Sequence, residues 1–186
     1  MPIDQLELSG LSVDALLSLP FLPFYIGAIL AIVLRGHLRS IVLLAIPLLG
    51  GWHLWQNSGD MLYQMEFMGY TLTPLRIDKL SLLFGYLFHL AAFIAILYSL
   101  HVKDTLQQVM AMFYAGSALG AVFAGDLLTL FVFWEIMAIS SAFLIWARRT
   151  ERSLRAGMRY LIIQVISGVV LLAGTLMLAA QTGSLD

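Results

Sequence analysis

The chain has 186 residues, of which 61% are hydrophobic and 11% charged, and its formal net charge is −1. Soluble domains carry about 25% charged residues, so this composition excludes an ordinary soluble domain, and the high apolar content excludes a disordered chain. The lack of basic excess argues against nucleic-acid binding, and the absence of cysteine excludes disulfides and iron–sulfur clusters. We therefore expect an integral membrane protein in a lipid bilayer.

Six apolar stretches approach or reach the length of about 20 residues that a helix needs to cross the hydrocarbon core. These stretches are residues 16–34, 38–55, 80–100, 106–124, 127–147 and 160–180. The predicted fold is all-α, a single membrane domain over residues 1–186 with about six transmembrane helices.

The basic residues divide unevenly between the two sets of loops. One set contains Arg35, Arg39, Lys103, Arg148, Arg149, Arg152, Arg155 and Arg159. The other set contains only Arg76 and Lys79. Basic loops stay in the cytoplasm, so we expect a multi-pass protein of the bacterial inner membrane with both termini outside. The first 15 residues lack Lys and Arg, unlike the positive start of a signal peptide, so the first span is expected to be retained.

The longest loop, residues 56–79, falls on the predicted outer side. Residues 62–67 and 70–73 favour β-strands and flank Met68 and Gly69, which predicts a short hairpin. An irregular re-entrant cap is the alternative interpretation of this loop.

Glu135 is the central candidate for function. It is the ninth residue of the 21-residue fifth span and so lies near the bilayer midplane, where a charge costs about 2.5–3.5 kcal/mol. Burial favours the neutral acid, and a carboxyl that gains and loses a proton in the membrane suits a proton relay. The small residues Ala138 and Ala142 share its helical face, so we expect Glu135 to face protein or water. A protonated Glu in a purely structural helix–helix hydrogen bond is the alternative.

Three weaker candidates accompany Glu135. His89 lies in the middle of the third span and suits either proton transfer or a structural hydrogen bond. Gln164 lies about one turn inside the sixth span and heads a face of small and polar residues that suits helix packing or a wet path. Arg159, at the cytoplasmic end of that span, is expected to snorkel as an anchor or to tune a nearby acid.

The sequence carries no pattern for catalysis, metal binding or phosphate binding, and no cofactor is expected. The His pairs 37/53 and 89/101 are 16 and 12 residues apart. These separations do not match the short same-face spacing of helical metal ligands, so a haem-carrying electron-transfer protein is the least favoured alternative. Catalysis within this chain is not expected, although membership in a redox-driven proton pump stays open.

Residues 125–137 (GDLLTLFVFWEIM) place an aromatic pair before Glu135 and an apolar residue after it. This segment resembles the fifth helix of the antiporter-like proton-translocating subunits found in respiratory complex I, membrane-bound hydrogenases and Mrp-type cation/proton antiporters. Residues 75–81 resemble the family's segment between an extracytoplasmic hairpin and the third helix, and residues 159–162 resemble the start of its sixth helix. The Ser140–Ser141 pair and Trp134 favour the D-type Mrp subunits.

The resemblance implies that the chain corresponds to the N-terminal part of such a subunit. A full subunit has about fourteen helices built around inverted repeats. This chain ends before the broken seventh helix, whose Lys functions with the Glu that matches Glu135. We therefore expect half of a split subunit, or a fragment, whose membrane partners supply the remaining helices and the Lys.

Two functions follow as hypotheses. In the first, the chain is the N-terminal part of a proton-translocating subunit in an Mrp-like or complex I-like assembly, with Glu135 as relay and protons and Na+ as candidate ions. In the second, it is a structural subunit that completes a membrane interface without carrying protons. The second hypothesis predicts that the Glu135→Gln variant assembles and functions normally, while bulky residues at Ala138 or Ala142 prevent assembly.

Overall fold

The computed structural model describes residues 19–56, 61–67 and 69–185. This part of the chain forms six α-helices and one β-hairpin. The helices are α1 (Leu22–Val33), α2 (Gly36–Gln56), α3 (Lys79–Tyr98), α4 (Thr105–Phe123), α5 (Leu127–Trp146) and α6 (Glu151–Thr182). The hairpin strands are β1 (Met61–Phe67) and β2 (Tyr70–Ile77), and a 3-10 turn, Ser99–His101, follows α3. The expected all-α membrane fold is confirmed.

Five of the six helices are long and apolar enough to cross a bilayer. The exception is α1, which has 12 residues and a length of about 18 Å. The predicted first span, 16–34, is therefore too long at its start: Pro20 and Pro23 delay the helix, since proline is favoured only in the first turn. Residues 16–18 of that prediction lie outside the described residues.

The hairpin joins α2 to α3, as the strand-forming residues predict. Its strands are antiparallel, with Met61 opposite Ile77 and Phe67 opposite Tyr70. The second strand continues to Ile77, four residues beyond the predicted end. It does so because Thr73, Leu75 and Ile77 alternate towards the interior and are 2%, 1% and 3% exposed.

The sixth helix begins at Glu151, nine residues before the predicted start of that span. Thr150 and Ser153 form a capping box, in which each side chain accepts a hydrogen bond from the other's backbone N–H. The prediction rests on hydropathy, which identifies only the apolar part of α6 and does not include this charged first segment. The helix ends at Thr182 and is followed by Gly183, whose φ of 72° is the left-handed conformation that glycine adopts readily.

The described helices pack around α4, which contacts α1, α3, α5 and the hairpin. Its fully buried residues Leu119 and Phe123 lie at the centre of the apolar core with Phe24 of α1. The last helix packs on α5 along one face, and its opposite face is strongly apolar and exposed. An apolar exposed face of this kind suits contact with lipid or with another membrane helix.

The loops that hold most of the basic residues meet at one end of the bundle. Buried Arg39 donates from Nη1 to Thr105 Oγ1 at 2.7 Å and from Nη2 to the Lys103 carbonyl at 3.2 Å. Arg149 pairs with Asp104 at 2.8 Å. The hairpin lies against the start of α5, at the other end of that helix. The division into two ends agrees with the predicted topology, and the assignment of the basic end to the cytoplasm stays a prediction.

Candidate functional site

Glu135 lies on the face of α5 that packs against α6. Its Oε1 is buried and has no hydrogen-bond partner among the described residues. A Cβ placed on Gly168 of α6 would overlap this Oε1 and would lie 2.9 Å from the carboxyl carbon. The Glu135 carboxyl therefore occupies space that is free only because Gly168 has no side chain.

The α5–α6 contact repeats this arrangement at a second glycine. A Cβ on Gly157 would overlap Nε1 of Trp146, whose indole donates to the Leu154 carbonyl at 3.3 Å. The two glycines are eleven residues apart, and so are the two side chains they receive, which is about three helical turns. Both pairs therefore lie along one seam between antiparallel helices, and the register of α5 against α6 is fixed at two levels.

The small residues predicted to share the face of Glu135 are buried. Ala138 and Ala142 are each 1% exposed, between the levels of Glu135 and Trp146. Their methyl side chains allow close approach of a neighbouring helix, as the spacing predicts. Glu135 consequently faces protein, although its role as a proton relay stays a prediction.

A polar cluster lies along the same seam, towards the basic end of the bundle. The Tyr160 hydroxyl is 2.8 Å from Ser141 Oγ and accepts a hydrogen bond from Gln164 Nε2 at 3.2 Å. Ser141 in turn donates to the Ala138 carbonyl at 2.9 Å. Sequence reasoning proposed Gln164 but assigned no site role to Tyr160 or Ser141. The available signal was the spacing of four residues that puts Tyr160 and Gln164 on one helical face.

The cluster begins about 1.7 helical turns along α5 from Glu135. Ser141 follows Glu135 by six residues, a rise of about 9 Å along α5. Gln164 and Gly168 are one turn apart on α6, and Gly168 is buried. Polar groups therefore follow the α5–α6 seam from the level of Glu135 towards the α5–α6 loop.

His89 lies in a different part of the bundle. It is 3% exposed, its Nδ1 is hydrogen-bonded to the Gly85 carbonyl at 2.7 Å, and its ring meets Phe24 edge-on at 5.5 Å. Its Nε2 has no partner among the described residues and faces Gly50 of α2, where a Cβ would lie 2.6 Å away. The contacts of His89 involve α1, α2 and its own helix, whereas those of Glu135 involve α6.

Arg159 does not contact the Glu135 carboxyl either. Its side chain is exposed, and its Nε donates to the Arg155 carbonyl at 3.4 Å. This position is compatible with the anchor that the sequence suggested. In the described part of the chain no group of three or more His, Asp or Glu residues could hold a metal ion.

Asp126 is a buried acid that sequence reasoning did not select. It caps α5: Thr129 donates to it twice, from its N–H at 2.7 Å and from its hydroxyl at 2.6 Å. Asp126 also accepts the Thr73 N–H of β2 at 2.7 Å, and Gly125 N–H donates to the Thr73 carbonyl at 2.9 Å. The hairpin is thereby attached to the helix that carries Glu135.

Comparison with known proteins places this geometry in context. Residues 124–186 match the family model described as NADH:quinone oxidoreductase/Mrp antiporter, TM. The matched segment contains Glu135, Gly168 and the polar cluster, but not His89. The chain is also 33% identical over 116 residues to an A-type Na(+)/H(+) antiporter subunit of Alkalihalophilus pseudofirmus, a match that covers 58% of this chain and 14% of that relative.

Two solved membrane complexes share the fold. The membrane-bound sulfane sulfur reductase, an archaeal respiratory complex, has a chain that superimposes with a TM-score of 0.77 at 26% identity, covering 90% of this chain and 28% of its own. The Mrp complex from Dietzia sp. DQ12-45-1b gives a TM-score of 0.79 at 24% identity, covering 94% of this chain and 20% of its own.

These similarities confirm the resemblance to antiporter-like membrane subunits, over a part of their length. The chain spans 14% of the antiporter relative and less than a third of either structural neighbour. The curated relative is of the A type, so the preference for the D type drawn from Trp134 and the Ser140–Ser141 pair stays a prediction.

Proposed function

We propose that this chain, a relative of the antiporter-like membrane subunits, forms the N-terminal part of a proton-translocating subunit in an Mrp-like or complex I-like assembly. Glu135 is the protonatable station of its path. Protons are the transported ions, and Na+, which the curated relative's name contains, is the candidate exchange ion. The assembly lies in the bacterial inner membrane with the basic loops in the cytoplasm.

The observation that carries the proposal is Glu135 Oε1, a buried carboxyl oxygen at the middle of α5 that has no hydrogen-bond partner among the described residues. Burying a polar atom without a hydrogen bond costs free energy, and burying an uncompensated charge costs much more. Glu135 Oε1 has neither a donor nor a cation among the described residues, so no contact within them compensates its burial. A carboxyl in the middle of a membrane span, where a charge is costly, suits the gain and loss of a proton that a relay requires.

The charged state needs a partner that these residues do not supply. The described ion pairs are Arg76–Asp78, Arg149–Asp104 and Arg155–Glu151, and none involves Glu135. The solved neighbours are chains more than three times as long as the part that this chain covers. A Lys in the helices that correspond to their remainder, on a partner subunit or a continuation of the chain, supplies the cation.

Glu135→Gln in the intact assembly separates this proposal from a structural role. The substitution keeps size and polarity and removes the titrating group. We expect it to abolish proton-coupled transport in membrane vesicles while the mutant chain still co-purifies with its partners. Glu66→Gln on the exposed face of β1 is the matched control and should transport normally. Unchanged transport by Glu135→Gln would contradict the relay and favour the structural role.

A further inference from the structure

The contact between Glu135 and Gly168 places a carboxyl oxygen against a residue that offers it no strong hydrogen-bond donor. The N–H of Gly168 lies in the interior of α6, where it bonds within the helix, so the glycine offers Oε1 only its Cα–H. Such a group is a weak donor and does not replace the hydration of a carboxylate. Gly168 therefore provides space for Oε1 but no strong hydrogen bond, and its contribution to the site is the position of the carboxyl.

The charged residues of the described elements that pack against α5 are all exposed, so none of them is a buried partner for the Glu135 carboxyl. The α4 helix contributes one titratable residue, Tyr114, which is 43% exposed. On α6 the charged residues are all exposed and lie in its first nine positions, and Tyr160 is its only other titratable group. The hairpin strand β2 contributes Tyr70 and Arg76, both exposed, and α5 itself carries no second titratable residue.

We propose that Gly168 is a positioning residue for Glu135: the space that it leaves holds the carboxyl between α5 and α6, at the place from which Glu135 relays protons. The inference rests on the proposed relay function. Any side chain larger than that of glycine at position 168 would move the carboxyl out of this place.

The direct test is Gly168→Ala in the intact assembly, with transport measured against pH. Ala is a better helix former than Gly, so the substitution should not weaken α6 itself. Its methyl group occupies the carboxyl's position and displaces Glu135 from its rotamer, and we expect roughly tenfold slower transport. Because the displaced carboxyl lies in different surroundings, the pH of half-maximal transport should also change. Gly174→Ala, where a Cβ meets nothing within 4 Å, is the matched control and should leave both quantities unchanged.

A second variant distinguishes loss of the Glu135–Gly168 contact from a general defect in folding or assembly. Glu135→Asp shortens the side chain by one methylene, so the double variant with Gly168→Ala should transport faster than Gly168→Ala alone. If Gly168→Ala fails to assemble, recovery of assembly in the double variant supports the contact, and continued absence overturns the inference.

The outcomes distinguish the two proposals. Loss of transport in Glu135→Gln, together with a Gly168→Ala variant that behaves like Gly174→Ala, overturns the role of Gly168 and leaves the relay intact. Normal transport in Glu135→Gln overturns the relay and this inference with it. Slow transport in Gly168→Ala that Glu135→Asp relieves supports both.

Discussion

Asp126 and Thr73 connect the hairpin to the helix that carries Glu135: the Thr73 N–H donates to Asp126 Oδ2 at 2.7 Å. The same oxygen accepts the Thr129 hydroxyl, and the other carboxyl oxygen accepts the Thr129 N–H. One buried side chain therefore both begins α5 and docks β2. Displacement of the hairpin would disturb the hydrogen bonds of the first turn of α5, which lies about two turns before Glu135.

Replacement of Asp126 by Ala should destabilise the protein. The change removes an N-cap and leaves the Thr73 and Thr129 N–H groups unpaired, for a loss of about 2–4 kcal/mol. We expect a melting temperature lower by several degrees in detergent and faster proteolysis of the hairpin. Asp126→Asn keeps a carbonyl acceptor, so it should lower the melting temperature less than Asp126→Ala does. Equal melting temperatures for Asp126→Ala and the unmodified protein would contradict this account of the junction.

Two Tyr–Ser pairs allow a matched test of the polar cluster. Tyr160 and Ser141 are 2.8 Å apart beside the Glu135 seam, and Tyr25 and Ser117 are 2.8 Å apart between α1 and α4. Tyr25→Phe removes one hydrogen bond, at a stability cost of about 1 kcal/mol. Tyr160→Phe removes two, to Ser141 and Gln164, at up to about twice that cost, so transport is compared per assembled complex. If the cluster serves Glu135, Tyr160→Phe should slow transport per assembled complex and Tyr25→Phe should not. Similar rates for the two variants would remove the cluster from the transport path.

Arg39 should stabilise the basic end of the bundle more than its neighbour Arg35. Arg39 is buried and bonds to Thr105 and Lys103, whereas Arg35 is exposed. Hydrogen bonds from a charged donor contribute about 1.5–3 kcal/mol, so Arg39→Ala should lower the melting temperature clearly. Arg35→Ala, which removes the same charge, is the control and should have little effect. A similar shift in melting temperature for both variants would mean that the positive charge, and not the buried hydrogen bonds of Arg39, stabilises this end of the bundle.

The junction between hairpin and α3 should be acid-sensitive. The pKa of Asp78 is lowered from 3.8, first by the backbone N–H of Ser81, whose bond to the carboxylate is 2.8 Å long. A group whose pKa is lower in the folded state stabilises the fold above its unfolded value and loses that contribution as the pH falls. Local unfolding, followed by hydrogen exchange at the start of α3, should therefore increase below about pH 4. Asp78→Asn should show a flatter dependence on pH over the same range, and an equally steep one would assign the effect to another group.

The sequence predicts most of the helices because membrane spans are defined by length and hydropathy alone. It misplaces the start of the first helix, where Pro20 and Pro23 interrupt an otherwise apolar stretch. It also misses the polar first segment of α6, whose start depends on the cap formed by Thr150 and Ser153. Helix ends follow local hydrogen bonding, which an average over 20 residues does not detect.

The candidate site is predictable only in part. A carboxyl in the middle of an apolar span identifies Glu135 without any structure. Its contact with Gly168, and the pairing of Ser141 with Tyr160, require the register of α5 against α6, which arises from packing between helices. The spacing of four residues between Tyr160 and Gln164 was visible, but nothing along one helix indicates which neighbouring helix that face meets.

The most direct test of the central claim is carbodiimide labelling of the intact assembly, read out by mass spectrometry at Glu135. Carbodiimides modify protonated carboxyls in apolar surroundings. We predict that Glu135 is modified and that transport is lost in proportion to the modified fraction. An unmodified Glu135, or full modification with normal transport, would contradict the assignment of Glu135 as the proton relay.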